Sequence, residues 1–272
     1  MDTSDLAKRM KGYEKVGERY LTRRLPVVLR LDGCHFHSFT KNFKRPFDEI
    51  LIKTMQNTMK YLCENIQGAV IGYTQSDEIT ILLVDYQNLN TSAWFDNRQN
   101  KIESVAASMC TMAFNRYFEL ASLTKRIKSG IEEDYQLGDT YKKALVKGAY
   151  FDCRAFTIPK EEVTNNFYWR QLDCIRNSIQ MVGQANFSHK ELQNKSCNDI
   201  QDMLMTQKGI NWNDLPTYQK RGSCCIKEYY QAENVDIKDG TCERSRWIID
   251  KNIPIFRGEG REYIERLVMV GE

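Results

Sequence analysis

Apolar and polar positions along this chain change period from block to block. Residues 26–31 (PVVLRL) form a short apolar run that stops at Asp32-Gly33, which predicts a strand ending in a turn. Asp48 is placed to cap a helix carrying Leu51, Met55, Met59 and Leu62 at helical spacing. Two further apolar runs, 69–73 and 79–84, flank Thr74-Gln75-Ser76-Asp77-Glu78. They predict a β-hairpin whose turn is not a standard two-residue one. Over residues 102–120, Val105, Met109, Met112 and Ala113 recur on one helical face, and 150–158 reads as a strand. The order β-α-β-β-α-β predicts an α+β, ferredoxin-like unit: a four-stranded antiparallel sheet with two helices on one face. The charged, loosely patterned stretch 125–147 is expected to project from that sheet as a linker. Helical periodicity returns around 170–184. A further helix is expected from Ser188, where Ser188-His189-Lys190-Glu191 has capping-box form, to Gly209. Residues 222–230 read as a strand, and from Asp236 onward the pattern yields no element.

With 272 residues, 42% of them hydrophobic, the chain can bury a sizeable core in one large or two small domains. The net charge of +3 says little, but residues 1–60 hold 13 Lys/Arg against 7 Asp/Glu. That local excess suits a polyanionic partner such as nucleic acid or a nucleotide, and equally an ordinary solvated helix face. Nine cysteines without a C-x-x-C pair, beside three histidines, argue against a zinc site and against a disulfide framework. Reduced thiols in a cytoplasmic compartment are the expectation. No segment is long and apolar enough to span a bilayer, and no Walker A or G-x-G-x-x-G pattern occurs.

The carboxylates carry the chemistry. Asp32 ends the first strand and Asp77-Glu78 sits in the hairpin turn, and in this topology those two places are neighbours at one end of the sheet. Clustered carboxylates raise each other's pKa unless a cation joins them. Mg²⁺ accepts one or two carboxylates together with substrate phosphates, and a pair of such ions serves phosphoryl transfer. The plainer reading, a solvated turn at each place, stands beside it. Lys41, Lys44 and Arg45 before one helix, and Arg98 and Lys101 before the other, suit a triphosphate or are surface charges.

The motifs Arg30-Leu31-Asp32-Gly33-x-x-Phe36-His37-x-Phe39, Phe43-x-Arg45-Pro46-Phe47-Asp48 and Gly72-Tyr73-Thr74-Gln75-Ser76-Asp77-Glu78 strongly resemble the tRNA-His guanylyltransferase superfamily. Arg98-x-x-Lys101, Phe151-Asp152-x-Arg154 and Trp169-Arg170-Gln171-x-Asp173-Cys174 continue the likeness in order, over about residues 15–228. The resemblance implies a polymerase-type palm over 1–135 and a segment 136–235 that completes the sheet and adds helices. A tail, 236–272, has no assigned role. It implies an enzyme that adds nucleotides to the 5′ end of tRNA, with two Mg²⁺ held by Asp32, the Gly33 carbonyl and Asp77, and Glu78 beside them. ATP, GTP and other NTPs would be the substrates. Gly33, Cys34, His35, Phe36, His37, Lys44, Arg45, Ser76, Arg98 and Lys101 would contact nucleotide, and Arg154, Arg170 and Asn177 would contact tRNA. Many relatives carry lysine at the position of Arg45.

Members that add the extra guanosine to tRNA-His carry His-Ile-Asn-Asn after the Cys of the Trp-Arg-Gln motif. Here Ile175-Arg176-Asn177-Ser178 stands in its place and only Asn177 is kept. The resemblance is therefore to the branch that repairs 5′-truncated tRNA against the opposite acceptor strand, as a homotetramer. The alternatives are guanosine addition at the −1 position, a palm-type nucleotide cyclase, and an RNA-binding ferredoxin-like module without catalysis. The cyclase's Gly-Gly-Asp-Glu-Phe turn is absent, and a base-reading module needs exposed aromatics on its central strands.

Overall fold

A computed structural model describes residues 2–129, 133–233 and 241–270. Alternation along Val27–Gly33 (β1) sends Val27, Leu29 and Leu31 into one core cluster and Val28 into another, so both faces of the sheet are covered. A helix Asp5–Lys15 (α1), none of whose residues is buried, precedes β1. A short turn of helix, Phe36–Phe39 (α2), follows it. Glu49–Asn65 (α3) then leads into the hairpin Ala69–Gln75 (β2) and Glu78–Leu83 (β3). Asp48 caps α3 as expected, accepting from the Ile50 and Leu51 amides.

The hairpin closes more tightly than its sequence predicts. Gln75 pairs with Glu78, leaving a two-residue turn of Ser76 and Asp77. Ser76 makes this possible by adopting φ 50°, a left-handed conformation usually left to Gly, Asn or Asp.

Gln99–Ser129 (α4) lies beside α3 on one face of the sheet. Its buried positions are Ile102, Ala106, Cys110, Ala113, Phe114 and Phe118; of the expected face Ala113 is buried, Val105 and Met109 pack at the edge of the same core, and Met112 is exposed. The small Ala106 and Cys110 let the helix approach the strands while Phe114 and Phe118 fill the space beyond. The expected linker is helical up to Ser129 and again from Glu133, with 130–132 outside the described residues. Glu133–Lys147 (α5) returns to the core through Tyr141 and Ala144, and the Tyr141 hydroxyl donates to Asp48. Phe151–Thr157 (β4) completes the ferredoxin-like four.

Val163–Asn186 (α6) crosses the second face, where Val163 and Phe167 pack with Tyr73 and Leu82. The helix expected between Ser188 and Gly209 is split into His189–Leu192 (α7) and Cys197–Lys208 (α8), because Ser196 starts a second capping box after Asn194 turns left-handed. Ile179, Val182, Phe187, Ile200 and Leu204 close a third cluster beyond the sheet's end. Thr217–Arg221 (α9) leads into Ser223–Glu233 (β5), Thr241–Asp250 (β6) and Glu262–Val268 (α10).

The six strands lie in the order β4-β1-β3-β2-β5-β6, every neighbour antiparallel. One sheet thus draws β1–β3 from residues 1–135, β4 and β5 from 136–235 and β6 from the tail. Beyond β6, Ile253, Phe256, Ile264 and Val268 are buried on the second face behind α6. Gln171 ties that segment down, donating to the Pro254 carbonyl and accepting from the Phe256 amide.

Candidate active site

Strand register assembles the site. Asp32 sits opposite Glu78 on β3 and Asp152 on β4, so three carboxylate-bearing positions share one row at the end of the sheet. The Gly33 amide donates to the Asp77 carbonyl at 3.1 Å, which ties the hairpin turn to the end of β1. Alternation places Asp32, Glu78 and Asp152 on the α6 face, since Leu31, Ile79 and Phe151 belong to the opposite core.

The carboxylates have different environments. Glu78 is buried; Arg30 donates to one of its oxygens at 3.2 Å and Arg170 pairs with the other at 3.0 Å. Burial still raises the Glu78 pKa, the two guanidinium groups opposing the rise and Asp32 and Asp173 adding to it. Arg170 also pairs with Asp173 at 2.5 Å, and Arg176 holds the other Asp173 oxygen. Among the described residues neither Asp32 nor Asp77 has an ion-pair partner. Burial raises the Asp77 pKa, the Ser76 hydroxyl, which donates to it at 2.9 Å, works the other way, and Asp32 adds to the rise. Each Glu78 oxygen has a guanidinium beside it, whereas Asp32, Asp77 and Asp152 have no ion pair among the described residues.

Among the described residues no three His, Cys, Asp or Glu side chains are grouped to hold a metal. That argues against a site built wholly from such side chains. Mg²⁺ asks for less from the protein, one or two carboxylates together with substrate phosphates and water. Asp32, Asp77 and the Gly33 carbonyl form such a donor set.

The segment after β1 is anchored by aromatic packing. Phe36 and Phe39 pack with Phe43, Phe114, Phe118 and Phe151, so His35 and His37 are left exposed with ring centroids 6.5 Å apart. The Cys34 amide donates to the Tyr150 carbonyl at 2.9 Å. Gly33 is required by contact: a Cβ there would stand 2.2 Å from the Phe36 ring. Gly33→Ala is expected to displace α2 at a cost of about 1–3 kcal/mol and to impair nucleotide binding. Thermal melts and nucleotide titration check this, and wild-type values in both would refute it. Lys44 and Arg45 lie exposed just before the N-terminus of α3. That terminus is at the Asp32 end of the sheet, because α3 runs away from it into Ala69, opposite Leu83.

Other expected contacts are not brought here. Gln99, next to Arg98, donates to the carbonyl of Ala155, which pairs with Leu29, three residues and about 10 Å from Asp32. Arg98 pairs with Glu18, and the Lys101 ammonium stands 4.8 Å from the centre of the Phe95 ring. Arg170 is buried and committed to Glu78 and Asp173, and Asn177 points its amide at Asp173. Of the three expected tRNA contacts only Arg154 is exposed. The structure adds Arg30, Asp152 and Asp173 to this end of the sheet. The alternation Phe151-Asp152-Cys153-Arg154-Ala155 signals a half-exposed strand, and Arg30 breaks an otherwise apolar run.

The model of the tRNAHis guanylyltransferase family matches residues 7–159, more than half of the chain. The chain belongs to that family. It is 27% identical over 242 residues to the tRNA(His) guanylyltransferase of Debaryomyces hansenii, covering 84% of this chain and 83% of that one. An uncharacterized protein of Acanthamoeba polyphaga mimivirus is also 27% identical, over 84% of this chain and 78% of its own length. A bacterial tRNA(His) guanylyltransferase-like protein solved with ATP superposes with a TM-score of 0.81 at 43% identity, covering 98% of this chain and all of that one. A structure of such a protein with GTP gives 0.76 at 40%, over the same shares. The chain is accordingly a nucleotidyltransferase that acts on tRNA, with a palm like those of 3′–5′ polymerases. Membership sets aside the cyclase and the non-catalytic RNA-binding readings. Among the described residues no helix is long and apolar enough to cross a membrane.

Proposed function

We propose that this enzyme repairs 5′-truncated tRNA, adding nucleotides in the 3′–5′ direction against the opposite acceptor strand. The observation that carries this reading is the fate of residues 175–178. Ile175 packs against the third cluster. Arg176 and Asn177 turn to Asp173, and the buried Ser178 hydroxyl accepts from the Trp212 indole. Ile175 and Ser178 are thus spent on packing and Asn177 and the exposed Arg176 on Asp173, where guanosine-adding relatives carry His-Ile-Asn-Asn. Specificity then falls to base pairing, with the protein reading backbone shape and charge.

In the reaction a 5′-monophosphate end attacks the α-phosphorus of ATP and releases pyrophosphate, leaving an adenylylated end. The 3′-hydroxyl of the next NTP attacks that end and releases AMP; a 5′-triphosphate end is attacked directly, with loss of pyrophosphate. Two Mg²⁺ held by Asp32, Asp77 and the Gly33 carbonyl would lower the hydroxyl pKa and gather triphosphate charge. Ser76 orients Asp77, and His35, His37, Lys44 and Arg45 offer donors at the same end of the sheet, with Cys34 and Phe36 fixing the backbone between them. The bacterial guanylyltransferase-like structures with ATP and with GTP support NTPs as substrates. The reading includes a homotetramer in the cytoplasm. The exposed Leu6, Met10 and Tyr13 stripe on the otherwise unpacked α1 fits a subunit contact.

A tRNA lacking its first nucleotide should regain the base complementary to position 72, and changing that template base should change the nucleotide added. Sequencing the product decides it. Guanosine added whatever the template would instead establish the −1 reading.

A further inference from the structure

The α6 face of the sheet is only half covered. Over β2 and β3 it is closed by Val163 and Phe167, but at the Asp32 end of β1 and β4 it is open. There Asp152 and Arg154 are exposed and Arg30 and Asp32 half-buried, in adjoining rows of the register. The wall beside this floor is an indole. Trp169 on α6 is 53% exposed, whereas Trp94 is buried and Trp212 spends its N–H on Ser178.

The ring is held in place. The Arg170 guanidinium lies 4.2 Å from its centroid and that of Arg30 5.7 Å. Arg170 is itself fixed, since it is buried between Glu78 and Asp173. Among the described residues nothing accepts from the indole N–H. Trp169 is therefore a stiff, half-bare aromatic plate, and fixing it costs no rotamer freedom at the moment of binding. Arg154, across the sheet from Arg30, has no ion-pair partner among the described residues. Arg30 is two residues, about 7 Å, from Asp32 along β1. That step is comparable with the distance from a nucleotide's phosphate to its own base.

An aromatic plate beside an unpaired guanidinium, one step from a cation-seeking carboxylate pair, matches a nucleobase with its flanking phosphate. Resting on the tRNA-end chemistry proposed above, we propose that Trp169 is the stacking platform for the base at the growing 5′ end of the RNA. Arg154 takes the adjoining phosphate. Stacking accepts any base, because every base has a π face. That tolerance is what an enzyme needs when the template, not the protein, chooses the nucleotide.

The test is equilibrium binding of 5′-truncated tRNA to the full-length enzyme, with 2-aminopurine as the 5′-terminal base. Wild-type enzyme should quench the probe. Trp169→Ala should abolish the quenching and raise Kd for tRNA on the order of tenfold to a hundredfold, and Trp169→Phe should keep most of both. An abasic 5′-terminal nucleotide should weaken binding to the wild type yet cost little more in Trp169→Ala, the non-additivity of two partners in one contact. Unchanged quenching in Trp169→Ala, or an abasic loss equal in both proteins, would overturn the proposal. So would a Trp169→Phe variant as weak as Trp169→Ala, which would mean that the indole serves only to pack Arg170. Each of these readouts is a binding measurement made without nucleotide addition. Untemplated guanosine addition would sink the repair reading and leave this assignment standing, and the converse also holds.

Discussion

Asp32→Ala and Asp77→Asn are each expected to abolish nucleotide addition while the protein stays folded. Both carboxylates stand at the end of the sheet with no cationic partner among the described residues, and neither supports the core. Losing a metal that supplies several kcal/mol of transition-state charge stabilisation slows the reaction on the order of a thousandfold or more. Asp77→Asn has a second expected consequence. Burial already penalises the Asp77 charge, and Asp32 adds to the penalty. The amide removes that repulsion, so without divalent cation the variant melts no lower than the wild type. Mg²⁺ at a hundredfold excess over its Kd is expected to stabilise the wild type by about 2.7 kcal/mol and to leave the variant where it was. Single-turnover rates and melts with and without Mg²⁺ measure both effects. An active Asp32→Ala, or an equal Mg²⁺ response in Asp77→Asn, would refute the assignment of this pair.

Arg170→Ala has the opposite profile, a large loss of stability. It strips one guanidinium from the buried Glu78 and a buried partner from Asp173. Breaking such a pair by removing one member costs about 3–5 kcal/mol, because the other charge is left behind in a poor solvent. For a chain of this size that lowers the melting temperature by roughly 6–20 °C. The loss depends on pH in a definite sense. The folded-state pKa of Glu78 is raised, so its protonated form favours the fold: the associated stability is present below the unfolded pKa and lost as pH rises through the folded one. Removing Arg170 raises that folded pKa further. The destabilisation is therefore greatest near neutral pH and shrinks as the medium is acidified toward the carboxylate range. A loss that does not vary with pH would mean that Arg170 acts through packing alone.

Much of this architecture is written in local patterns. The run PVVLRLDG places β1 and stops it at Asp32, and the Asp48 cap and the 69–84 hairpin set the next two elements in register with it. From that order the meeting of Asp32 with the Asp77 turn follows, because the split β-α-β arrangement leaves the ends of β1 and the hairpin adjacent. Features decided by partners distant in sequence are not legible in this way. Glu78 reads as one more acidic residue of a turn until Arg170, ninety-two residues on, is folded over it. Arg98 and Lys101 look well placed because they precede a helix, but the direction in which α4 crosses the sheet puts that end away from Asp32. The buried stripe of α4 is only partly legible, because Ala106 and Cys110 are weak hydrophobic signals that matter through smallness. The α5 segment hides its contribution in two residues, Tyr141 and Ala144, amid charge. In the tail, Ile253, Phe256, Ile264 and Val268 are too widely spaced to show a period, and only the second face of the sheet reveals what they share.

That last feature bears on the order in which the enzyme can be assembled during synthesis. Residues 253–268 cover the back of α6, and Gln171 on that helix is fastened to them, next to the Arg170 that grips Glu78. As the chain leaves the ribosome, β1 to β4 can pair and α3 and α4 can settle on their face long before this segment has been made. On the other face α6 brings Val163 and Phe167, but Ile253, Phe256, Ile264 and Val268 join them only when the later segment emerges. A half-made chain therefore has its two bare aspartates in place, but the wall that carries Trp169 and the clamp on Glu78 are not yet braced. The bracing of the cleft wall depends on residues about eighty positions later in the chain than the helix they brace.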